Sequence, residues 1–234
     1  MDLTSFPSVA KDRVGWVTES EMAEIDRVMI EDLRIELIQM MENAGRNLAR
    51  VALETFAPRS VAVLAGPGGN GGGDMVAARH LANADVEVTV IASRSQAELN
   101  GVPQHQLDIL HRMGVPMSDD LVDADLVVDA LLGYSLRGEP RGRPLELMTQ
   151  LRAHEGPVVA LDTPSGLDVT TGAPLGAVVR ADVTMTLALP KTGLRDAVEV
   201  GELLLADISV PPSVTGPYGP AAPTFAASPV LRLI

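Results

Sequence analysis

The chain has 234 residues and a formal net charge of −13, with 18 Lys and Arg against 31 Asp and Glu. It has no Cys, which excludes disulfides, thiolate catalysis and Cys-ligated metal sites. The acidity argues against nucleic-acid binding and against docking on an anionic membrane, because both need basic patches. No apolar run is long enough to span a bilayer and no secretory signal is visible, so we expect a cytoplasmic protein without a membrane partner.

The N-terminal part of the chain predicts helices. Residues 1–17 carry no clear pattern and are expected to form a loose N-terminal arm. Thr18 and Glu21 then have the spacing of a capping box, and apolar residues follow at helical intervals from Met22. A second helical pattern runs over residues 36–54. These two amphipathic helices are where we expect two copies to meet if the chain forms a homodimer.

The middle of the chain alternates short apolar runs with helical patterns. We predict helices over 75–83, 103–113 and 144–154, and strands over 60–66, 86–92, 124–132, 157–162, 182–189 and 201–208. This alternation predicts an α/β fold with a mostly parallel sheet covered by helices on both faces, and residues 18–212 form the predicted domain. The Pro-, Gly- and Ala-rich residues 213–234 are expected to be an extended tail on the surface or on a partner.

The most informative stretch is the glycine-rich segment 66–74, between the first predicted strand and a helix. Its glycines leave backbone amides free to face an anion at a helix N-terminus, which predicts a phosphate or pyrophosphate ligand. The segment contains G-x-G-x-x-G. However, the place where a dinucleotide-binding fold carries an acidic residue holds Ser93-Arg94-Ser95, so an NADP-linked oxidoreductase is the weakest of our functional hypotheses.

Polar residues stand at three later strand ends, where ligands bind in an open α/β sheet. Asp129 ends one predicted strand, and its residue type leaves two roles open, cation ligand or helix cap. Asp162 has the same placement, and the turn that follows it presents Ser165. Lys191 follows the predicted strand 182–189, and we favour a structural role near the site over a phosphate contact. Together these positions predict one site beside the glycine-rich segment.

Taken together, these segments resemble the YjeF N-terminal domain family, the NAD(P)H-hydrate epimerase domain. The resemblance covers residues 18–212. It rests on six motifs in order, and they are Met41-Glu42-Asn43-Ala44-Gly45-Arg46, residues 66–81, Asp129-Ala130-Leu131-Leu132-Gly133, residues 162–168, Pro190-Lys191-Thr192-Gly193 and Ala206-Asp207-Ile208.

The resemblance implies a Rossmann-like three-layer αβα sandwich, a homodimer, and epimerisation at C6 of the hydrated nicotinamide ring of NADHX or NADPHX. It also implies a stand-alone form, since no dehydratase segment accompanies the motifs in this sequence. The competing hypothesis from another class is a non-catalytic family member that binds a nucleotide-like ligand or a protein partner through the same crevice.

The resemblance assigns individual residues. It implies a potassium ion held by Asn70, Asp129 and Ser165, and it makes Asp162 the residue that handles the proton as water or hydroxide leaves C6 and returns on the other face. The family's N-N-G-G-D reads G-N-G-G-G here, over residues 69–73, with an acid one place later, and its G-T-G-L flap reads G-Y-S-L over residues 133–136. The residues implied to bind substrate besides Asp162 are Gly69, Asn70, Gly71, Gly72, Gly73, Asp74, Gly133, Tyr134, Ser135, Leu136 and Arg137.

Overall fold

Short apolar segments between glycines and prolines form the strands of this protein. The computed structural model describes residues 1–219 and 225–234, and in this part of the chain eight strands form one sheet in the order β1-β8-β7-β6-β5-β4-β2-β3. All neighbouring strands are parallel except β7 and β8. The strands are β1 Ser8–Val9, β2 Ser60–Ala65, β3 Glu87–Ala92, β4 Leu126–Ala130, β5 Val158–Leu161, β6 Val183–Leu187, β7 Glu202–Ala206 and β8 Val230–Leu233.

Helices connect the strands. Thr18 forms the predicted capping box with Glu21, and the first helix continues into one π-helical stretch, Val28–Asp32. No helix in the described ranges is both long and apolar enough to cross a membrane. The α-helices are α1 Glu19–Arg27, α2 Leu37–Phe56, α3 Gly69–Asn83, α4 Gly101–Met113, α5 Gly142–Leu151 and α6 Pro212–Thr215.

The sheet is the middle of three layers. Side chains alternate across a strand, so Val61 and Val63 of β2 pack with α2, α3 and α4 on one face, whereas Ala62 and Leu64 pack with α5 on the other. Both faces are therefore covered, which explains why the strands are apolar without polar alternation. The predicted α/β fold, a Rossmann-like three-layer αβα sandwich, is confirmed. The six predicted strands are also found, each within two residues of its predicted bounds.

Helix α3 differs from the prediction, because it begins at Gly69 and not at residue 75. The glycine-rich segment is therefore mostly the first two turns of a helix. Glycine is a poor helix former, and its low propensity hid these turns from sequence reasoning. Tertiary packing holds them instead. A Cβ at Gly71 would collide with the backbone of Gly66, and one at Gly72 would lie 2.6 Å from the sulfur of Met41 on α2.

The terminal segments also differ from the prediction. The arm is not loose, because Ser8–Val9 pairs with β8 and the side chains of Leu3 and Phe6 are buried. The end of the tail is not draped on the surface, because Val230–Leu233 lies in the sheet between β1 and β7. The Pro- and Gly-rich composition of the preceding residues hid this strand. Part of the predicted tail, residues 220–224, lies outside the described residues. The division of the chain at residues 17 and 212 stays a prediction.

Candidate active site

The carboxyl ends of the central strands border one pocket, as expected for an open parallel sheet. Five polar side chains line it, and they are Asp26, Asn70, Tyr134, Asp162 and Lys191. The rest of its wall is largely apolar, and is formed by Met22, Leu37, Met40, Met41, Ala44, Leu161, Leu187 and Ile208. An apolar wall with a few converging polar groups suits a ring that carries polar substituents.

Asp162 follows β5 directly and has an unusual backbone conformation. Its φ is 69°, in the left-handed region that costs free energy for a residue with a side chain. Its amide donates to the carbonyl of Met185 at 2.8 Å, which fixes this turn against β6. The side chain is 2% exposed. The sheet therefore holds this carboxylate in a strained and well-defined position at the pocket wall.

Lys191 is the cation beside Asp162. Its ammonium group forms an ion pair with Oδ1 of Asp162 and donates to the carbonyl of Leu187 at 3.1 Å. It also lies 3.3 Å from the hydroxyl of Thr186, which is itself 3.4 Å from Asp162 Oδ1. The side chain is 1% exposed, so the pair is fully buried. In the described part of the chain, every hydrogen bond to the carboxylate of Asp162 involves Oδ1, which leaves Oδ2 for a ligand.

A second carboxyl group, Asp26 of α1, reaches the same pocket. The hydroxyl of Tyr134 donates to its Oδ2 at 2.5 Å. Burial raises the pKa of Asp26 above its usual value, and the hydrogen bond from Tyr134 partly offsets this rise. The pKa of Tyr134 is also raised, mainly by burial and then by the charge of Asp26. The pocket thus contains two carboxyl groups in different surroundings.

Asp129 and Ser165 form a buried pair next to the pocket. The hydroxyl of Ser165 donates to Oδ1 of Asp129 at 2.6 Å, and its amide donates to Oδ2 at 2.8 Å. Burial raises the pKa of Asp129 to about 6. Within the described residues, no Lys, Arg or His lies within ion-pair distance of Asp129. The helix-cap role left open by the sequence is wrong, since the next helix begins only at Gly142.

Asn70 approaches the same region from α3. Its Nδ2 donates to the carbonyl of Leu161 at 3.2 Å, and its amide packs so closely on Gly133 that a Cβ there would lie 2.5 Å away. The adjacent amide of Leu132 donates to the hydroxyl of Ser165 at 2.9 Å. The side chains of Asn70, Asp129 and Ser165 therefore all contact the short backbone segment 131–133. Together they offer amide, carboxylate and hydroxyl oxygens, which suit a hard cation.

The residues implied to bind substrate separate into two groups. Gly69, Asn70, Gly73, Tyr134 and Asp162 line the pocket. The others do not line it. Gly71, Gly72 and Asp74 are buried against the protein, and Gly133 packs on Asn70, whereas Ser135 and Arg137 are exposed on the flap with Leu136 between them. Arg137 forms an ion pair with Glu19 of α1. Whether the flap residues contact substrate stays a prediction.

Asp74 is a fully buried carboxyl group, at 0% exposure, that does not line the pocket. Neither of its oxygens has a well-aligned hydrogen-bond donor among the described residues. Burial raises its pKa well above the usual value. A side-chain contact from Asp74 to substrate therefore has no support in this geometry, and the carboxyl group is a cost to folding.

Replacing Asp74 with alanine is expected to raise the free energy of unfolding by about 1–3 kcal/mol near pH 8, because two unsatisfied oxygens are removed. The native state binds the Asp74 proton more tightly than the unfolded state does, so Asp74 destabilises more as pH rises. The increase in the free energy of unfolding caused by Asp74→Ala should therefore be smaller near pH 4. Urea unfolding at the two pH values measures it, with Asp123→Ala, an exposed aspartate, as control. A large loss of stability at pH 8 would contradict this view of Asp74.

Sequence reasoning missed Asp26, which lines the pocket, and Thr186, which contacts the Asp162–Lys191 pair behind it. Asp26 lies one helical turn after Met22 and one before Met29, so it stands within the apolar face of the first helix. An acidic residue at an otherwise apolar position was the signal that could have identified it. Thr186 gave no signal, because it is one of two threonines in β6. Lys191 was placed near the site as a structural residue. The structure places it inside the pocket, in contact with Asp162.

Comparison with known proteins identifies relatives along most of the chain. Residues 37–193 match the family described as YjeF-related protein N-terminus. A protein of Dehalogenimonas lykanthroporepellens named NAD(P)H-hydrate epimerase is 44% identical over 206 residues, with 85% of this chain and 83% of that protein covered. One of the same name from Truepera radiovictrix is 37% identical, with 85% and 91% covered.

Longer relatives and a solved structure match the same region. The bifunctional NAD(P)H-hydrate repair enzyme Nnr of Hyperthermus butylicus is 37% identical, and the match covers 91% of this chain but 42% of that protein. The crystal structure of yeast YNL200c superposes with a TM-score of 0.80 over 93% of this chain and 99% of the yeast chain, at 24% identity. That likeness supports the fold.

The family match covers the pocket from α2 to Gly193. It includes both members of the buried Asp162–Lys191 pair and the oxygen cluster of Asn70, Asp129 and Ser165. The fold, the position of the pocket and the similarity of whole relatives agree. The chain belongs to the family of proteins related to the YjeF N-terminus.

Proposed function

We propose that this chain catalyses epimerisation at C6 of the hydrated nicotinamide ring of NADHX or NADPHX. The observation that carries the proposal is the buried carboxylate of Asp162, held by Lys191 at the wall of an apolar pocket with Oδ2 left for a ligand. The names of relatives that match this chain along most of their length agree with it. The non-catalytic alternative gives no reason to keep a strained, buried ion pair in the pocket.

The proposed reaction needs proton transfer at C6. The C6–O bond breaks with its electron pair on oxygen, the lone pair of N1 forms an N1=C6 bond, and a carboxyl proton turns the leaving hydroxide into water. Water then adds to the other face of C6, and a carboxylate takes its proton. Asp162 lines the pocket and is placed to act as an acid or a base in these proton transfers. The methionines of the wall limit access of other water to the cationic ring.

The proposed substrate carries a negatively charged pyrophosphate group, and this protein is itself acidic. Helix α3 points its N-terminus at the pocket through Gly69 and Asn70, and the amides of a helix N-terminus attract phosphate. Backbone amides are local and do not depend on net charge. We therefore place the pyrophosphate at the start of α3, and the nicotinamide ring between Asp162 and the apolar wall.

We propose a potassium ion as cofactor, held by Asn70, Asp129 and Ser165. The fit rests on Asp129, whose buried carboxylate has no cationic side-chain partner in residues 1–219 and 225–234. A bound cation supplies the missing positive charge. In doing so it would fix the turn after β4 and the Asp162–Ser165 turn relative to each other, which positions Asp162 for substrate.

Potassium is expected to stabilise the protein at pH 8 and to have little effect at pH 4. The folded pKa of Asp129 lies near 6, above its usual 3.8, so its contribution to stability declines as pH rises between these values. Such a pKa shift corresponds to a loss of about 3 kcal/mol in the free energy of unfolding between low and high pH. A bound cation offsets this loss once Asp129 is ionised. Melting temperatures in potassium chloride and in choline chloride at equal ionic strength measure the effect.

The variant Asp129→Asn provides the control for this effect. It should melt at the same temperature in both salts at pH 8, because the buried charge is gone. Ser165→Ala should weaken the potassium effect while leaving the charge in place. A potassium effect of full size in Asp129→Asn would contradict this site.

Epimerisation is tested with an unequal mixture of the two NADHX epimers, followed by chromatography with and without potassium. The protein is expected to bring the mixture to its equilibrium ratio faster than buffer does. The same assay with NADPHX compares the two substrates. No acceleration in either salt would overturn the proposed function.

A homodimer also remains a proposal. Three apolar side chains near the junction of α1 and α2 are exposed, namely Ile30 at 40%, Leu33 at 43% and Leu37 at 38%. They lie where the sequence predicted contact between copies, and burying them in a dimer would be favourable. Sedimentation at micromolar concentration measures the mass. A cytoplasmic location likewise stays a prediction.

A further inference from the structure

The pocket contains more proton-transferring chemistry than one carboxylate supplies. Asp162 comes from the end of β5 and Asp26 comes from α1, so two separate elements each contribute a carboxyl group to the lining of the same pocket. Asp26 is half-buried, and Met22 and Met29, one helical turn before and after it, belong to the apolar cluster of α1. Nothing in the assignment of Asp162 as acid and base explains why a second carboxyl group faces this apolar space.

The surroundings of the two groups differ. Asp162 is ion-paired with Lys191, whereas the closest partner of Asp26 is the neutral hydroxyl of Tyr134, at 2.5 Å. No Lys, Arg or His in the described part of the chain is within ion-pair distance of Asp26. Two carboxyl groups held in such different environments divide naturally into an acid and a base.

Tyr134 connects the flap to Asp26. Its ring packs with the apolar cluster around α1, and its hydroxyl ends on Asp26. The flap therefore contributes to the pocket wall the hydroxyl group that is hydrogen-bonded to Asp26.

We infer that Asp26, oriented by Tyr134, is the second proton-transferring residue of the site, and that it serves one face of the ring while Asp162 serves the other. This inference rests on the proposed epimerisation. An epimerisation by loss and return of water needs proton transfer on both faces of C6, and one carboxylate reaches only the face it contacts.

The two residues exchange roles with the direction of reaction. In one direction Asp26 gives its proton to the departing hydroxide, the C6–O bond breaks, and N1=C6 forms. Water then adds from the face of Asp162, a new C6–O bond forms, the electron pair returns to N1, and Asp162 takes the proton. The net result is one proton moved from Asp26 to Asp162, which solvent reverses before the next turnover. No oxidant or reductant is required.

The test compares Asp26→Asn and Tyr134→Phe with two matched controls, Glu24→Gln on the exposed side of α1 and Tyr218→Phe. Initial rates from one pure NADHX epimer are measured from pH 5 to pH 10, with thermal melting as a check that each variant is folded. Asp26→Asn is expected to lower kcat by about 10²-fold or more with a small change in KM. Both controls should keep the wild-type rate.

The pH profile separates proton transfer from a structural role. Tyr134 acts on the pKa of Asp26 through its hydrogen bond, and Lys191 and Asp162 act on it through their charges. The charge of Glu19 acts on Tyr134. With Asp26 as the acid, the rate falls as pH rises through its pKa, so Asp26→Asn loses this alkaline limb. Tyr134→Phe removes a hydrogen bond that lowers the pKa of Asp26, so its alkaline limb moves to higher pH.

The outcomes distinguish this inference from the function on which it rests. An active wild type with an unchanged rate in Asp26→Asn overturns the role of Asp26 and leaves the epimerase function standing. A lower rate with an unchanged alkaline limb in both variants also overturns it, because that pattern marks a structural residue. A wild type no faster than buffer overturns the proposed function, and the inference with it.

Discussion

Replacing Asp162 with asparagine is expected to lower kcat for epimerisation by about 10²- to 10⁴-fold, the usual contribution of a positioned acid or base. The amide has nearly the same size as the carboxyl group, so the KM should change little, whereas the free energy of unfolding should fall because the buried ammonium group of Lys191 loses its ionic partner. It cannot exchange a proton with the oxygen on C6. Steady-state rates from one pure epimer measure the loss.

Asp123→Asn is the matched control for this variant, since Asp123 is exposed in the loop before β4, at the opposite end of the strands. It should retain the wild-type rate. If Asp162→Asn turned over as fast as this control, Asp162 would have no part in the chemistry, and the assignment of the pocket would have to be abandoned.

Lys191→Met is expected to reduce the free energy of unfolding by about 3–5 kcal/mol, because it leaves Asp162 as a buried charge without a partner. Both side chains of the pair are nearly inaccessible, at 1% and 2% exposure, so water cannot replace the lost ammonium group. Activity should also fall, since Lys191 fixes the carboxylate that handles the proton. Urea unfolding measures the stability change.

The double variant Asp162→Asn/Lys191→Met tests the cause of this loss. It removes both buried charges, so it should be more stable than Lys191→Met alone, with a coupling free energy of about 1–3 kcal/mol. Lys11→Met is the control. Lys11 is the other lysine of the chain and makes a peripheral hydrogen bond, at 3.3 Å, to the carbonyl of Arg195. A double variant as unstable as Lys191→Met would show that the loss comes from packing and not from charge.

Patterns in the sequence predicted the sheet well because its strands are buried on both faces. A continuous apolar run that ends in glycine or aspartate has few other interpretations in an α/β chain. The first turns of α3 were not predictable in this way. They are stabilised by packing against Gly66 and Met41 and not by the intrinsic helix propensity of their own residues, which is low. Strand β8 was hidden because the Pro- and Gly-rich residues before it dominate the composition of the C-terminal segment.

The candidate site was predictable where it follows the ends of strands. Asp129, Asp162 and Ser165 were identified from position and residue type, and the resemblance then implied their roles. Asp26 was missed, because its helix lies some 130 residues before β5 and only folding brings the two elements to one pocket. Distances such as the 2.5 Å between Tyr134 and Asp26 have no counterpart in a linear pattern. The net charge of −13 excluded nucleic acid, but a nucleotide is compatible with it if backbone amides bind the phosphates.

The most direct test starts from each pure C6 epimer of NADHX in separate reactions with the wild-type protein and potassium. A catalyst of this epimerisation must bring both reactions to the same ratio of epimers, the ratio that buffer alone reaches slowly. We predict this convergence without loss of total NADHX. The proposed function would be contradicted if both reactions approached the equilibrium ratio no faster than they do in buffer. Conversion of NADHX to another product would also contradict it.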